Sequence, residues 1–377
     1  MKINCLTNIC KVLALAGLFV SCEAPYNPIV NNVYFAEAQN VDFKKITVSE
    51  SGASTSLFVR MAAVQQKEIE VSIAVDKVVL DEYNKRNGTN YLLLPETFYS
   101  LKTTTTIIKQ GEVSSNPIDI AIKAFDETLE VSEKYAIPLK INSAKGAELL
   151  EASSSLVLLM DKAIVTNVLF MKAGAKINYK LPDEDQGLSD LGQYTVEFLT
   201  YSESYGKNKH ILSFGAPSGK VGLFARFGEF DHPFDEIQFK PGGAPIYGPS
   251  RFEPKRWYHV ALTYDGSLIK LYQNGKLDVS SDSPSPGEKH TWRTIMFSTG
   301  NTGSLSEVRI WKVARTQTEI SENMYAVNPK SEGLELYWKI DEGKGTVIHD
   351  YTGNGRDGDT GTLGTWKSGQ KFPEENK

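Results

Sequence analysis

Cysteine is scarce in this chain, with three in 377 residues, at positions 5, 10 and 22. Nothing after Cys22 can form a disulfide, so no bridged framework staples the body of the protein. The five histidines, at 210, 232, 259, 290 and 349, show no metal-ligand spacing. Charge of one sign is also lacking: 41 basic residues face 46 acidic ones without long runs, a net −5. That excludes the basic footprint of a nucleic-acid binder. The apolar stretch from Val12 to Val20 is shorter than the ~20 residues that span a bilayer. Gly215 to Lys220 is two residues short of a phosphate-binding loop. What is present is ordinary globular material, 41% hydrophobic and 23% charged, long enough for two or three domains. Seventeen Tyr, 17 Phe and 30 Gly against 6 Met favour strands and tight turns over helical bundles.

The amino terminus reads as an export signal, with Lys2 and Lys11 ahead of the short apolar stretch. Phe19, Val20, Ser21 and Cys22 resemble the bacterial lipobox, in which the cysteine is diacylated and becomes the first residue after cleavage. On that resemblance residues 1–21 leave, Cys22 anchors the chain in the cell envelope as an outer-membrane lipoprotein at the cell surface, and no thiol remains for chemistry. Residues 22–32 hold two prolines and little to bury, and read as a tether.

From 33 to 161 the apolar residues alternate: Leu57, Val59 and Met61; Ile69, Val71, Ile73 and Val75; Ile118, Ile120 and Ile122; Ile137, Leu139 and Ile141. Period two over several short runs predicts a β-sandwich. One helix is expected at Lys77 to Asn87, with Val79, Leu80 and Tyr83 at helical spacing and Asn87-Gly88 as its stop. From 166 to 364 the clearest stretch is a β-meander, Trp257 to Lys276, turning at Asp265-Gly266 and at Asn274-Gly275, both read as type I′ turns. Thr316 and Glu319 predict a capped short helix after Trp311. Residues 365–377 form a tail.

Two resemblances follow from these residues. Tyr83, Asn84, Gly88, Thr89, Tyr91, Leu94 and Pro95, with Gly111, Tyr135, Pro138 and Ile141, resemble the domain of unknown function at the N-terminus of many Bacteroidetes surface lipoproteins, found ahead of glycosidase and glycan-binding modules. The resemblance implies a spacer or docking platform. Trp257, His259, Val260, Ala261, Tyr264 to Gly266, Leu271, Tyr272, Asn274 and Gly275 resemble the core signature of laminin-G-like, concanavalin A-like jelly rolls. Glu307 to Trp311 with Ala314 and Arg315, and Leu334 to Trp338 with Asp341 to Gly343 and Asp350, add two further motifs in family order. Leu199 departs from the family, which often carries Trp there. The fold class expected is therefore all-β: an N-terminal sandwich with one short helix, then a concanavalin A-like jelly roll.

That fold also houses glycanases, which carry carboxylates on alternate positions of one strand. Glu229 and Asp231 begin such a pattern, but His232 and Pro233 interrupt it before Asp235 and Glu236. No catalytic residues are expected. For sugar binding the chemistry needs an exposed aromatic face and fixed polar groups. Trp292 between His290 and Arg293 is the first candidate, with entry into the hydrophobic core at the start of the Thr294 to Phe297 strand as its alternative, followed by Arg226, Tyr247, Tyr201 and Tyr205, with Phe230 and His232 further loop aromatics. Trp257, Trp311 and Trp338 are assigned to core. Asp350, Asn354, Asp357 and Asp359 among glycines offer hard oxygens for a calcium ion, although turn chemistry explains the same cluster. The expectation is a lipid-anchored, non-catalytic glycan-binding protein, acting beside an outer-membrane importer as the resemblance implies. The rivals are a glycoside hydrolase or lyase of the same fold, and an adhesion or scaffold protein that binds another protein.

Overall fold

The computed structural model describes residues 31–126, 128–129, 133–218, 222–361 and 364–374. The export signal, the lipobox and residues 22–30 of the tether lie outside the described residues.

Alternation of apolar and polar residues produces the N-terminal sandwich. In Ile69–Val75 the residues Ile69, Val71 and Ile73 face inward while Glu70 and Ser72 face out. One sheet runs Phe43–Val48, Ser155–Lys162, Tyr135–Ala144, Ile69–Val75, Thr105–Ile108, and a second runs Ala53–Leu57, Ile118–Ile122, Tyr99–Leu101. Their facing Ile, Leu and Val side chains form one core, each contributing about 1.5–3 kcal/mol on burial. The expected helix is present at Lys77–Asn87. Asp76 accepts from the Val78 N–H to start it, and Gly88, at φ 64°, ends it in the left-handed region. Its Val79, Leu80 and Tyr83 pack on Ala136, Val157 and Leu159.

The C-terminal domain is a sandwich of two eight-stranded sheets, the jelly roll expected from the sequence. The first sheet runs Lys276–Asp282, Leu268–Gln273, Trp257–Tyr264, Tyr194–Ser202, Gly303–Trp311, Ile164–Met171, Thr365–Phe372, with Leu334–Trp338 beside Gly303–Trp311. The second runs Ile246–Gly248, Ile237–Pro241, Leu223–Phe227, Lys209–Gly215, Thr294–Ser298, Lys176–Lys180, Gly358–Asp359, Val347–Ile348. Asn274 and Gly275 both take positive φ, at 49° and 73°, as a type I′ turn requires. The expected type I′ turn at Asp265-Gly266 is corrected, since only Gly266 of that pair has positive φ. Asp265 Oδ1 instead accepts from the Ser267 and Leu268 N–H groups, at 2.9 and 2.7 Å, which opens the turn by one residue. The capped helix is present at Gln317–Glu322, with both capping-box bonds formed.

The outer faces of the two sheets differ, and that difference places the site. The first sheet is roofed by the chain from Lys312 to Gly333, including the short helix, over a buried polar network. Glu197 accepts from Trp311 Nε1 at 2.7 Å and from Arg315 Nη1 at 2.6 Å. His259 Nε2 lies 3.3 Å and Arg309 Nη1 3.5 Å from its carboxylate. Glu197, His259 and Arg309 are fully buried. Burial alone would raise the Glu197 carboxyl, but Arg315 and Arg309, with His259, outweigh it and hold the group well below the usual carboxylate range. This acid is sealed from any substrate. The second sheet carries no such roof, and its outward side chains meet solvent.

Only Ala163 separates Ser155–Lys162 of the first domain from Ile164–Met171 of the second. Beside this joint Glu322, at the end of the short helix, accepts a hydrogen bond from Tyr91 Oη. Lys45 and Lys134 place their ammonium groups 3.5 and 3.7 Å from the same carboxylate.

Candidate functional site

The strand Leu223–Phe227 buries Leu223, Ala225 and Phe227 and turns Phe224 and Arg226 outward, as strand alternation requires. Register sets Gln238 beside Arg226, and Tyr247 beside Gln238. The tight loop that follows, Gly228 to Glu236, brings Glu229 back over them. A closed ring of hydrogen bonds results. Arg226 Nε donates to Gln238 Oε1 at 2.8 Å, and Gln238 Nε2 donates to Tyr247 Oη at 2.7 Å. Tyr247 Oη donates to Glu229 Oε2 at 2.8 Å, and Arg226 Nη2 closes the circuit on Glu229 Oε1. Arg226 Nη1 also reaches Asn208 Oδ1 at 2.7 Å.

Aromatic surface surrounds this ring. The His232 imidazole lies flat on the Tyr247 ring, centroids 3.8 Å apart and 3° from parallel, with Nδ1 2.9 Å from Glu236 Oε2. Phe224 packs under the Arg226 guanidinium at 5.6 Å and meets His210 edge-on at 4.7 Å. Phe230 is 70% exposed and Phe234 54%, and the Lys207 ammonium sits 5.0 Å over the Phe230 ring. Large aromatics left this open in a tight polar loop have no packing role to explain them. The hydrogen bond from Tyr247, with the Arg226 charge, lowers the Glu229 pKa. Both Glu229 oxygens accept hydrogen bonds within the ring, and the lowered pKa is the opposite of the raised carboxyl that a glycosidase uses as general acid. Partial burial and the Glu229 charge raise the Tyr247 phenol, which remains a donor.

Of the residues singled out from sequence, the structure brings Arg226 and Tyr247 together with the loop that carries Phe230 and His232, and places Trp292, His290, Arg293, Tyr201 and Tyr205 elsewhere. Trp292 is fully buried. Leu191 and His290 exchange N–H···O bonds of 2.8 and 3.0 Å, and the Trp292 N–H donates to Leu188 O at 2.9 Å. These bonds fold the supposed surface loop across one end of the sandwich and turn the indole into the core, on Tyr194 at 4.8 Å and Phe214 at 4.9 Å. Trp292 as a sugar platform is corrected accordingly. His290 is buried with it, against Tyr194 and Tyr264. Arg293 spends its donors on Asp185 O, Gln186 Oε1 and Ser189 Oγ, bracing a neighbouring loop. Tyr201 packs between Phe170 and Trp257, and Tyr205 leans on Phe227 with its hydroxyl buried. Trp338 lies in the main core as expected. Trp311 belongs to a small cluster outside it with Val327, Leu334 and Tyr337, and Trp257 is only partly buried, against Phe372.

Of the residues considered for calcium, Asp350, Asp357 and Asn354 take part in local hydrogen bonds. The Asp350 carboxylate accepts from the Tyr337, Thr352 and Arg356 N–H groups and from Thr352 Oγ1. Asp357 accepts from the Asp350 N–H and contacts His349, and the Asn354 amide donates to Glu335 O. This is turn chemistry, as the glycine-rich composition also allowed. Among the described residues no group of three or more His, Cys, Asp or Glu side chains is arranged to hold a metal ion.

Residues 174–321 match the concanavalin A-like lectin/glucanases superfamily. A model described as an N-terminal domain matches residues 29–148. The crystal structure of a Bacteroides ovatus protein, described provisionally as carbohydrate binding, is similar over 89% of this chain and 97% of its own, at 26% identity and a TM-score of 0.52. A heptameric pentraxin of Limulus polyphemus covers 42% of this lectin-like chain and 80% of its own, at 16% identity and a TM-score of 0.33. Mouse pappalysin-1 is 36% identical over 80 residues, which are 19% of this chain and 5% of that protein. The chain thus spans a small fraction of the length of that curated relative.

Proposed function

We propose that the protein captures glycans without cleaving them, on the open sheet face centred on Arg226, Gln238, Tyr247 and Glu229. The observation that carries this reading is the closed polar ring set beside exposed aromatic surface. Fixed donors and acceptors suit sugar hydroxyls, while Phe230 and the stacked His232–Tyr247 pair suit the C–H face of a pyranose. Similarity to the Bacteroides ovatus protein supports the ligand class. Non-catalysis is supported by the commitment of both Glu229 oxygens to hydrogen bonds within the ring and by the complete burial of Glu197. Retention of the soluble protein on a panel of immobilised glycans tests the reading. Arg226→Ala opens the ring and should weaken retention about 10-fold or more, the worth of a charge-assisted hydrogen bond. Phe230→Ala should weaken it with the melting temperature unchanged, because the ring is mostly exposed. A panel that retains nothing, or variants that bind as well as the parent, would overturn the proposal. Steady release of reducing ends would return the hydrolase rival. A protein ligand is the second reading, favoured by the same exposed Phe230 and Phe234, and it would show as pull-down insensitive to competing sugar.

The envelope location and a place beside an importer belong to this proposal as well. They rest on the lipobox-like residues Phe19 to Cys22. Two acyl chains hold a protein to a bilayer where one is marginal. Cys22→Ala should therefore move the protein from the membrane fraction to the soluble one. Continued sedimentation with membranes after a high-salt wash would refute the anchor.

A further inference from the structure

The open face has a second property besides its aromatic ring. Counting only outward-facing side chains on the strands from Ile237–Pro241 across to Lys176–Lys180, the ionisable groups are Lys240, Arg226, His210, Lys176 and Lys180. No carboxylate stands among them. The nearest acids are peripheral: Glu229 is spent on Arg226, Glu236 faces His232, Asp235 pairs with Arg251, Asp231 lies in the loop, and Asp359 sits beyond Asn178 at the far side. Lys176, Lys180 and Lys240 have no ion pair among the described residues, although the chain as a whole is acidic at −5.

Physical chemistry gives no structural reason for this arrangement. Lysines guard exposed sheet edges; the strands that carry these cations are interior in the sheet order, with Lys240 beyond the pairing of Ile246–Gly248 and only Asn178 of Lys176–Lys180 paired with Gly358–Asp359. His210 stands in register with Arg226, and partial burial, then the positive charges of Arg226 and Lys176, lower its pKa. Between the cations lie short or neutral groups, Ser213, Met296 and Asn178, in one continuous row with Phe224. That row crosses the face from Phe224 to Asn178.

We infer that the glycan taken by this face is an acidic one, its sugar rings resting on the aromatic surface and its carboxylate or sulfate groups meeting Lys240, Arg226, Lys176 and Lys180. This rests on the glycan-binding reading above and adds the charge class of the ligand. The probes are two pairs that differ only in charge: polygalacturonate against its methyl ester, and dextran sulfate against dextran. Each is titrated against the soluble protein and against a Lys176→Ala, Lys180→Ala, Lys240→Ala variant, with the three Lys→Arg changes as a charge-preserving control. At low salt, at least one acidic member should bind about tenfold tighter than its neutral partner, the sum of several exposed ion pairs. The preference should shrink as salt rises, disappear in the alanine variant at unchanged melting temperature, and survive in the arginine variant. Preference for polygalacturonate identifies a carboxylated ligand, and preference for dextran sulfate a sulfated one. Equal or better binding of the neutral members overturns the acidic class while leaving glycan capture intact. Duplex DNA bound as well as the acidic polymers overturns it also, because the face would then be reading charge without sugar. Failure of all four polymers and of the wider glycan panel overturns both readings together.

Discussion

Replacing Trp292 by Ala is expected to cost about 3–5 kcal/mol of stability, the usual price of deleting a large buried aromatic. The indole fills the end of the jelly roll between Tyr194, Phe214 and His290, and the substitution leaves a void that those rings cannot close. Each kcal/mol lost in a domain of this size lowers the melting temperature by about 2–4 °C. The indole N–H has no acceptor in its buried position, so Trp292→Phe removes an unsatisfied donor along with the volume and should cost much less than Ala. Denaturant titration of the two variants at one pH measures both. An Ala variant as stable as the parent would mean that the indole does not carry this end of the core.

Glu197→Gln should cost a similar amount, about 3–5 kcal/mol, by a different mechanism. Glutamine keeps the shape but leaves Arg315 and Arg309 buried without their shared counter-charge, and one-sided removal from a buried ion network is among the most damaging single changes. The pH dependence gives a separate signature. The folded Glu197 has its pKa held below the unfolded value, so its contribution is present in full above the ordinary carboxylate range near about 4.3. It is then lost progressively as pH falls through that range toward the folded value. The stability gap between parent and variant should therefore be widest at neutral pH and narrow on acidification below about pH 4. Glu307, buried beside Arg309, is shifted the opposite way by burial. It is present in both proteins, so the difference between them reports chiefly on Glu197. A gap that is flat from pH 7 to 3, or absent, would contradict the network described here.

Local rules carried much of the architecture into the sequence. The helix at Lys77–Asn87, the Thr316 capping box and the Asn274-Gly275 turn are each decided within a few residues, and each appears where its chemistry placed it. The outward direction of Arg226 followed from counting by twos along one strand. Trp292 was misjudged because its burial is decided at long range, by the bonds between 188–191 and 290–292 that pull an apparently polar loop inward. The Asp265-Gly266 turn was misread because an aspartate side chain can supply acceptors that reshape the loop. The cationic face was invisible for a simpler reason. Lys176 and Lys240 are far apart in the chain, and only strand order and alternation bring them onto one face of the sheet. Phe230 reads as a loop aromatic, and Phe234 lies in the same short run of acids, His and Pro, which cannot continue a strand and so marks it as well.

The joint at Ala163 has a mechanical meaning. The strands on either side of it, Ser155–Lys162 and Ile164–Met171, are each hydrogen-bonded to partners on both flanks, and Ala163 itself donates to Val48 O at 3.1 Å. Traction on a long polymer held at the proposed Arg226 face would pass into the first domain through this unbroken pair of strands. The load along a strand is shared by many hydrogen bonds strained in parallel, instead of opening them one after another from a free edge. Glu322, gripped by Tyr91, Lys45 and Lys134, resists bending at the same point. Two domains joined in this way behave under tension as a single stiff strut.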